Sequence, residues 1–192
     1  LHLCHHNLET INNTTSTAKH DLLAEVCYAA KHEGNSINTH YTPYQQKYRY
    51  SASQLCTVLA RSFADIGDIV RGRDLYLGDN RKDREQRKKL DENLQKIFKK
   101  IHSEVTSSGS NGKTLQARYQ GDDPDYYKLR EDWWEENREK VWKAITCEVK
   151  SGSQYFRATC RGRQNPTQTQ DNCQCANTDV PTYFDYVPQY LR

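Results

Sequence analysis

The chain has 192 residues, a formal net charge of +3, an apolar fraction of 35% and a mean hydropathy of -1.03. That length can bury one sizeable core. No apolar run is long enough to span a membrane, and so small a net charge does not by itself argue for a polyanionic partner.

The first helix is predicted over 12–34, with cap candidates at Thr14 to Thr17 and an apolar stripe of Leu22, Leu23, Val26, Cys27 and Ala30. Gly34 is expected to end it. Asn12 and Asn13 open two overlapping N-glycosylation sequons, for which capping chemistry is the plainer reading. Residues 35–50 read as a polar, tyrosine-rich connection containing Pro43. Ser51 and Gln54 have capping-box spacing and start a second helix that runs to Val70. Leu55, Val58, Leu59, Phe63, Ile66, Ile69 and Val70 form its apolar face, and Gly67 inside it weakens it by about 1 kcal/mol relative to Ala. Gly72 stands where that helix stops, with Arg71 and Arg73 at the carbonyl end of its dipole.

The third helix, 79–105, carries Leu90, Leu94, Ile97, Phe98, Ile101 and Val105 at helical spacing, while its first turns to Lys89 hold no apolar residue. Residues 107–113 are predicted as a loop and 120–125 as a turn, with Asp123 and Pro124 as N-cap and N1 of a fourth helix. Tyr126, Leu129, Trp133, Val141 and Ile145 form its inward stripe, broadened by Trp134 and Trp142. Periodicity fades after Lys150, residues 164–175 read as a cysteine-tethered loop, and strand alternation is absent or brief.

Seven cysteines are an odd number, and there is neither a methionine nor a signal-peptide pattern. The chain is therefore expected to be a piece of something larger. Cys173 and Cys175 are the only closely spaced pair, and the His5 and His6 that follow Cys4 have no second cluster to complete a zinc site. Structural disulfides are the favoured reading, with no metal and no cofactor expected; spacing does not assign the connectivity.

Residues 81–100 hold nine cations (Arg81, Lys82, Arg84, Arg87, Lys88, Lys89, Lys96, Lys99 and Lys100) against four acids. Such a strip could bind sulfated glycosaminoglycan through counterion release. The plainer alternative is a solvated face with ion pairs such as Glu85 with Lys89 and Glu92 with Lys96. Arg157, Arg161 and Arg163 form a second basic cluster. No nucleic-acid-binding motif, P-loop, dinucleotide fingerprint or nucleophile motif is present. Glu131, Asp132, Glu135 and Glu136, next to Arg130, Arg138 and Lys140, read as a salt-bridged outer face rather than a catalytic pair. The three tryptophans could stack on sugars, but their place on an amphipathic helix favours core packing.

The stretch ARSFADIGDIVRGRDLYLG, Ala60 to Gly78, closely resembles the most constant block of the Duffy-binding-like domains of the malaria parasite's erythrocyte membrane protein family. EDWWEENREKVWKAITC, Glu131 to Cys147, and VPTYFDYVPQYLR, Val180 to Arg192, resemble its second and third signatures, and LLAEVCYAAKHEG, Leu22 to Gly34, fits upstream of the first. The details resemble the alpha class. The resemblance implies an all-α, disulfide-stapled bundle of about four main helices with long loops. It also implies a division into the end of a first subdomain (1–12), a helical middle subdomain (13–163) and the start of a third (164–192). It pairs Cys56 with Cys160 and Cys27 with Cys147, leaving Cys4, Cys173 and Cys175 to partners outside the chain. The implied function is that of an adhesin, not an enzyme, on the surface of the infected red cell. It would form part of a larger anchored protein, with no membrane insertion by this segment and no nucleic-acid partner. Receptor candidates are complement receptor 1, heparan sulfate and blood-group sugars. The competing reading is a structural spacer that packs against neighbouring domains of the same antigen.

Overall fold

A computed structural model describes residues 18–48, 53–107, 112–150, 152–162 and 164–192, with backbone alone over 42–48 and at 53. The helices are α1 (Ala18–Tyr48), α2 (Ser53–Arg71), α3 (Arg81–Ser107), α4 (Gly112–Arg118) and α5 (Tyr127–Ile145). Two short 3-10 turns follow, at Phe184–Tyr186 and Gln189–Leu191. Among the described residues there is no sheet, only isolated bridges between Ser153 and Asn172 and between Cys160 and Thr167. The expected all-α class with four main helices is observed, and α4 is a short addition that starts at the end of the expected loop 107–113 and runs on to Arg118. Cap candidates Thr14 to Thr17, the sequons at Asn12 and Asn13, and the Ser51 cap all lie outside the described residues.

Gly34 does not end α1, and the polar stretch after it continues the helix to Tyr48. The glycine answers a different demand: a Cβ there would stand 1.9 Å from the carbonyl oxygen of Ile145. It is a point of backbone-to-backbone approach inside a helix rather than a stop signal. Gly34→Ala is expected to destabilise the protein by about 2–3 kcal/mol through overpacking, read as a lower urea midpoint at unchanged m-value. An unchanged midpoint would show that α1 moves aside freely.

Where α2 stops, Arg73 N donates to Asp68 O (2.8 Å) and Gly72 N to Ile69 O (3.2 Å), with Gly72 at φ +70°. This is the paired pattern of a glycine-terminated helix. Asn80 and Asp83 cap α3 reciprocally: Asp83 N donates to Asn80 Oδ1, and Asn80 Nδ2 donates to Asp83 Oδ2, each at 2.9 Å. The cap of α5 is Asp122, not Asp123. Its carboxylate accepts from Lys128 N (2.9 Å) and Leu129 N (3.0 Å), so Pro124 lies ahead of the helix instead of at its first position. The Asp123–Pro124 peptide is cis and Tyr126 has φ 55°, a fold-back that a sequence window does not reveal.

The described chain forms two compact units. One takes in 27–67 and 137–192, the other 18–26 and 68–136. In the first, Phe63 meets Trp142 edge to face with centroids 5.3 Å apart, over a core that includes Ala30, Leu59, Val141, Ile145 and Tyr155. In the second, Phe98 meets Trp133 edge to face at 6.2 Å, with Leu94, Ile97, Ile101, Leu129 and Trp134 buried. All three tryptophans are core residues, so none is a platform for sugars.

The disulfides correct both expected pairings. Cys56 bonds Cys173, and Cys160 bonds Cys175. The chain returns on itself through mutual hydrogen bonds between Cys160 and Thr167, which brings the Cys173–Cys175 segment back inside this unit. Cys173 has φ 62°, so the segment is not extended and its two thiols reach different partners. Neither Cys173 nor Cys175 needs a partner outside the chain; Cys4 lies outside the described residues. Cys27 and Cys147 are thiols. Cys27 lies beside Lys140, whereas Cys147 lies beside Lys31, one turn farther along α1, and beside Glu148. No disulfide joins them. Burial pushes both thiols up, and Glu148 adds to the effect at Cys147.

Candidate functional site

The signature segments meet in the interior, through arginines. In the first unit, Arg138 Nε and Nη2 each donate to Asp185 at 2.8 Å, and Nη2 also donates to Thr182 O at 2.9 Å. The guanidinium lies over Phe63, Tyr183 and Tyr186 at 5.2–5.7 Å. Arg192 Nη1 reaches Asp65 at 3.0 Å. Residues from all three signatures therefore share one cluster. In the second unit, buried Arg71 pairs with Asp68 at 2.9 Å and lies over Trp134, while Arg73 pairs with Glu131 at 2.6 Å. Buried Arg130 donates to Val70 O at 2.7 Å and to Asp91 at 3.1 Å. A Cβ on Gly72 would come within 2.7 Å of Arg130 Nη1, so this glycine serves both the left-handed turn and the arginine behind it.

Arg130 and Arg138 thus do not belong to an outer salt-bridged face. A charged residue on a helix reads as solvated unless its partner is known, and these partners are remote in sequence. Only part of the expected face holds: Lys19 with Glu136 (2.8 Å), and Arg118 with Asp132 (2.5 Å). Hydrogen bonding from Arg118 holds the Asp132 carboxyl below the usual range, while burial and then Asp132 push Tyr119 up to about 12. Burial and then Asp123 push Tyr126 up to about 12 as well.

On α3 the candidate cations divide. Lys82, Lys89, Lys96 and Lys100, spaced by seven, seven and four residues, fall on one face, about a third of a turn around the helix from the buried Leu90, Leu94 and Ile101. All four are exposed, as are Arg81 and Lys99. The ion pairs on this helix are Arg81 with Glu85 (2.9 Å) and Lys88 with Glu92 (3.8 Å), not the expected Glu85–Lys89 and Glu92–Lys96. Among the described residues, Lys82, Lys89, Lys96 and Lys99 enter no ion pair.

Arg84, Arg87 and Lys88 lie on another side of α3, where they line a cleft of about 430 Å³. Ile69, Leu90 and Leu94 supply its apolar lining, and Tyr76 and Leu77 come from the strap that follows α2. Arg87 is committed there, with Nη1 2.6 Å from Asp74 and its guanidinium 5.0 Å from the Tyr76 ring centroid. Leu75 and Leu77 are exposed by 61% and 76%. The sequence reading passed over this strap; its signal was two leucines alternating past a helix stop in a polar stretch. Of the second basic cluster, Arg157 and Arg161 are exposed, Arg157 against the Phe156 ring, and Arg163 lies outside the described residues.

No described helix is long and apolar enough to cross a membrane. Comparison with curated proteins finds no match. Among solved structures, the NTS-DBL1(alpha-1) domain of membrane protein 1 (PfEMP1) from the Plasmodium falciparum varO strain is 40% identical, with a TM-score of 0.77. The match covers 99% of this chain and 40% of that one. The NTS-DBL1-alpha and CIDR-gamma double domain of PfEMP1 from the same strain is also 40% identical, with a TM-score of 0.78, covering 99% of this chain and 25% of that one. The ICAM-1-binding DBLbeta domain of PfEMP1 IT4var13 is 33% identical, with a TM-score of 0.67, covering 100% and 39%. The chain therefore spans less than half the length of the chains it matches. The family model of the Duffy binding domain matches residues 1–192. With its whole length matched and the same helical fold at 40% identity, the chain belongs to the Duffy binding domain family.

Proposed function

We propose that the chain is part of an extracellular adhesion domain that binds host cell-surface receptors, and that it contacts sulfated glycans such as heparan sulfate through the exposed face of α3. Membership of the family and the ICAM-1 binding of the DBLbeta relative support the adhesive role. Higher identity to the DBL1-alpha relative (40%) than to the DBLbeta one (33%) supports the alpha class, and with it rosetting contacts to complement receptor 1, heparan sulfate or blood-group sugars. The position would be the infected red-cell surface, within a larger anchored protein. Residues 13–163 would be its middle subdomain, with 1–12 and 164–192 belonging to the neighbours. Recognition would proceed without chemistry or cofactor.

The observation that carries the glycan contact is the row Lys82, Lys89, Lys96 and Lys100, exposed on one face, three of its members outside any ion pair among the described residues. Cations so placed repel one another slightly, yet they match a linear polyanion. The test is a salt titration of heparin binding by the complete disulfide-bonded domain, beside a version with these four lysines changed to Ser. The wild type is expected to show a steep slope of log K against log salt, and the variant a slope smaller by about three. Equal slopes would move the site away from α3, toward Arg157 and Arg161. Absence of heparin binding altogether would favour the spacer role.

A further inference from the structure

We propose that the cleft between α3 and the strap at 72–78 is a docking site for an acidic polypeptide segment of a partner protein, anchored by a leucine or phenylalanine side chain. The proposal rests on the adhesion reading above and names the chemistry of a second contact, distinct from the glycan row.

The strap is held rigidly. Gly72 (φ +70°) and Gly78 (φ +100°) are both left-handed, and a Cβ at either would collide within 2.7 Å, with Arg130 Nη1 at the first and the backbone N of Arg84 at the second. Between them Asp74 accepts from Tyr76 N (3.2 Å) and from Arg87 (2.6 Å), and Arg84 Nε donates to Gly78 O (3.3 Å). On so constrained a backbone the exposure of Leu77 is not slack. The strap displays an aliphatic side chain, beside the Tyr76 ring, at the mouth of a cleft that is otherwise rimmed by charged groups. A preformed site of this kind loses little conformational freedom on binding, and its volume is that of small-ligand and side-chain sites.

Charge selects the occupant. Of the acids lining the cleft, Asp74 is paired with Arg87 and Asp91 with Arg130. Arg84 and Lys88 remain at the rim, Arg84 in no ion pair among the described residues and Lys88 only in a long 3.8 Å contact with Glu92. An occupant must therefore place carboxylates at the rim and an apolar side chain against the exposed Leu77 and Tyr76, behind which Ile69, Leu90 and Leu94 are buried. A sulfated polysaccharide has no apolar side chain to seat there, so this contact favours a peptide over a glycan. The cleft and the Lys82–Lys100 row lie on different sides of α3, and the two contacts can be separated by substitution.

The probe is a fluorescent Glu-Glu-Leu-Phe-Glu-Glu peptide, followed by anisotropy with the complete disulfide-bonded domain. Saturable binding is expected, weakened about tenfold when Ser replaces the Leu and Phe, and abolished when Lys replaces the Glu residues. The paired change Arg84→Ser and Lys88→Ser, and separately Leu77→Ser, should each weaken it about tenfold. These side chains are exposed, and circular dichroism checks that the fold is kept. No binding by the complete domain, as when another part of the longer polypeptide fills the cleft, would overturn the proposal. So would binding indifferent to the apolar anchor or to Leu77. Heparin retention measured on the same samples keeps the two readings apart. A wild-type domain that retains heparin but not the peptide sinks only the cleft; one that binds the peptide but not heparin sinks only the glycan row.

Discussion

Arg138→Leu is expected to lower stability by about 3–5 kcal/mol, because it strands a carboxylate with no access to water. Asp185 has a fully buried side chain, and its two oxygens each accept from Arg138 at 2.8 Å. Removing the cation leaves that charge without its counterion and also frees Thr182 O. The rings of Tyr183 and Tyr186 lose the guanidinium they flank. The measurement is urea unfolding of the disulfide-bonded domain, repeated for Asp185→Leu and for the double variant. The double variant should recover much of the loss, since neither charge is then buried alone. A single-variant loss under about 1 kcal/mol would mean that water reaches Asp185 and that the interlock of the second and third signatures is peripheral. Glycan binding through α3 should survive in whatever fraction stays folded, because that face belongs to the other compact unit.

The second large effect concerns the disulfides. Changing Cys56 and Cys173 to Ser should cost about 5 kcal/mol, and changing Cys160 and Cys175 about 3 kcal/mol. The order follows from sequence separation, 117 residues against 15, since closing the longer loop removes more freedom from the unfolded chain. Thermal unfolding of the two double variants tests it, with the fully reduced wild type as the lower reference. If the short-loop variant proved the less stable, the contribution of Cys173 would reside in local packing. One such contact is the 3.2 Å hydrogen bond from Trp142 Nε1 to its carbonyl oxygen.

Both effects explain why the signature letters are interior. Phe63, Asp65, Arg71 and Gly72 of the first segment, Arg130, Glu131 and Arg138 of the second, and Asp185 and Arg192 of the third are joined by ion pairs and ring contacts. A change at one of them strands the charge or fills the gap belonging to another. Among the described residues Lys82, Lys89 and Lys96 of α3 enter no such ion pair, which leaves them open to vary with the partner.

Helix existence was written in the chain itself. The apolar stripes of α2, α3 and α5 are local periodicities, and Leu59, Phe63, Leu94, Phe98, Trp133 and Trp142 are buried as the spacing requires. The stop at Gly72 was equally legible, because a left-handed turn after a helix is a local demand on one residue. Family membership could be seen in the same letters. What needed the tertiary structure were the choices made by partners distant in sequence. Gly34 looks like a helix end until Ile145 is laid against it, and Arg130 and Arg138 look solvated until Val70, Asp91 and Asp185 are found beside them. Cys56 has several cysteines it could join until the return of the chain at Thr167 delivers Cys173. Likewise, the cations of α3 form one undivided strip in the sequence. The fold separates them, because the helix turns Arg84, Arg87 and Lys88 toward the strap and Lys82, Lys89 and Lys96 toward solvent.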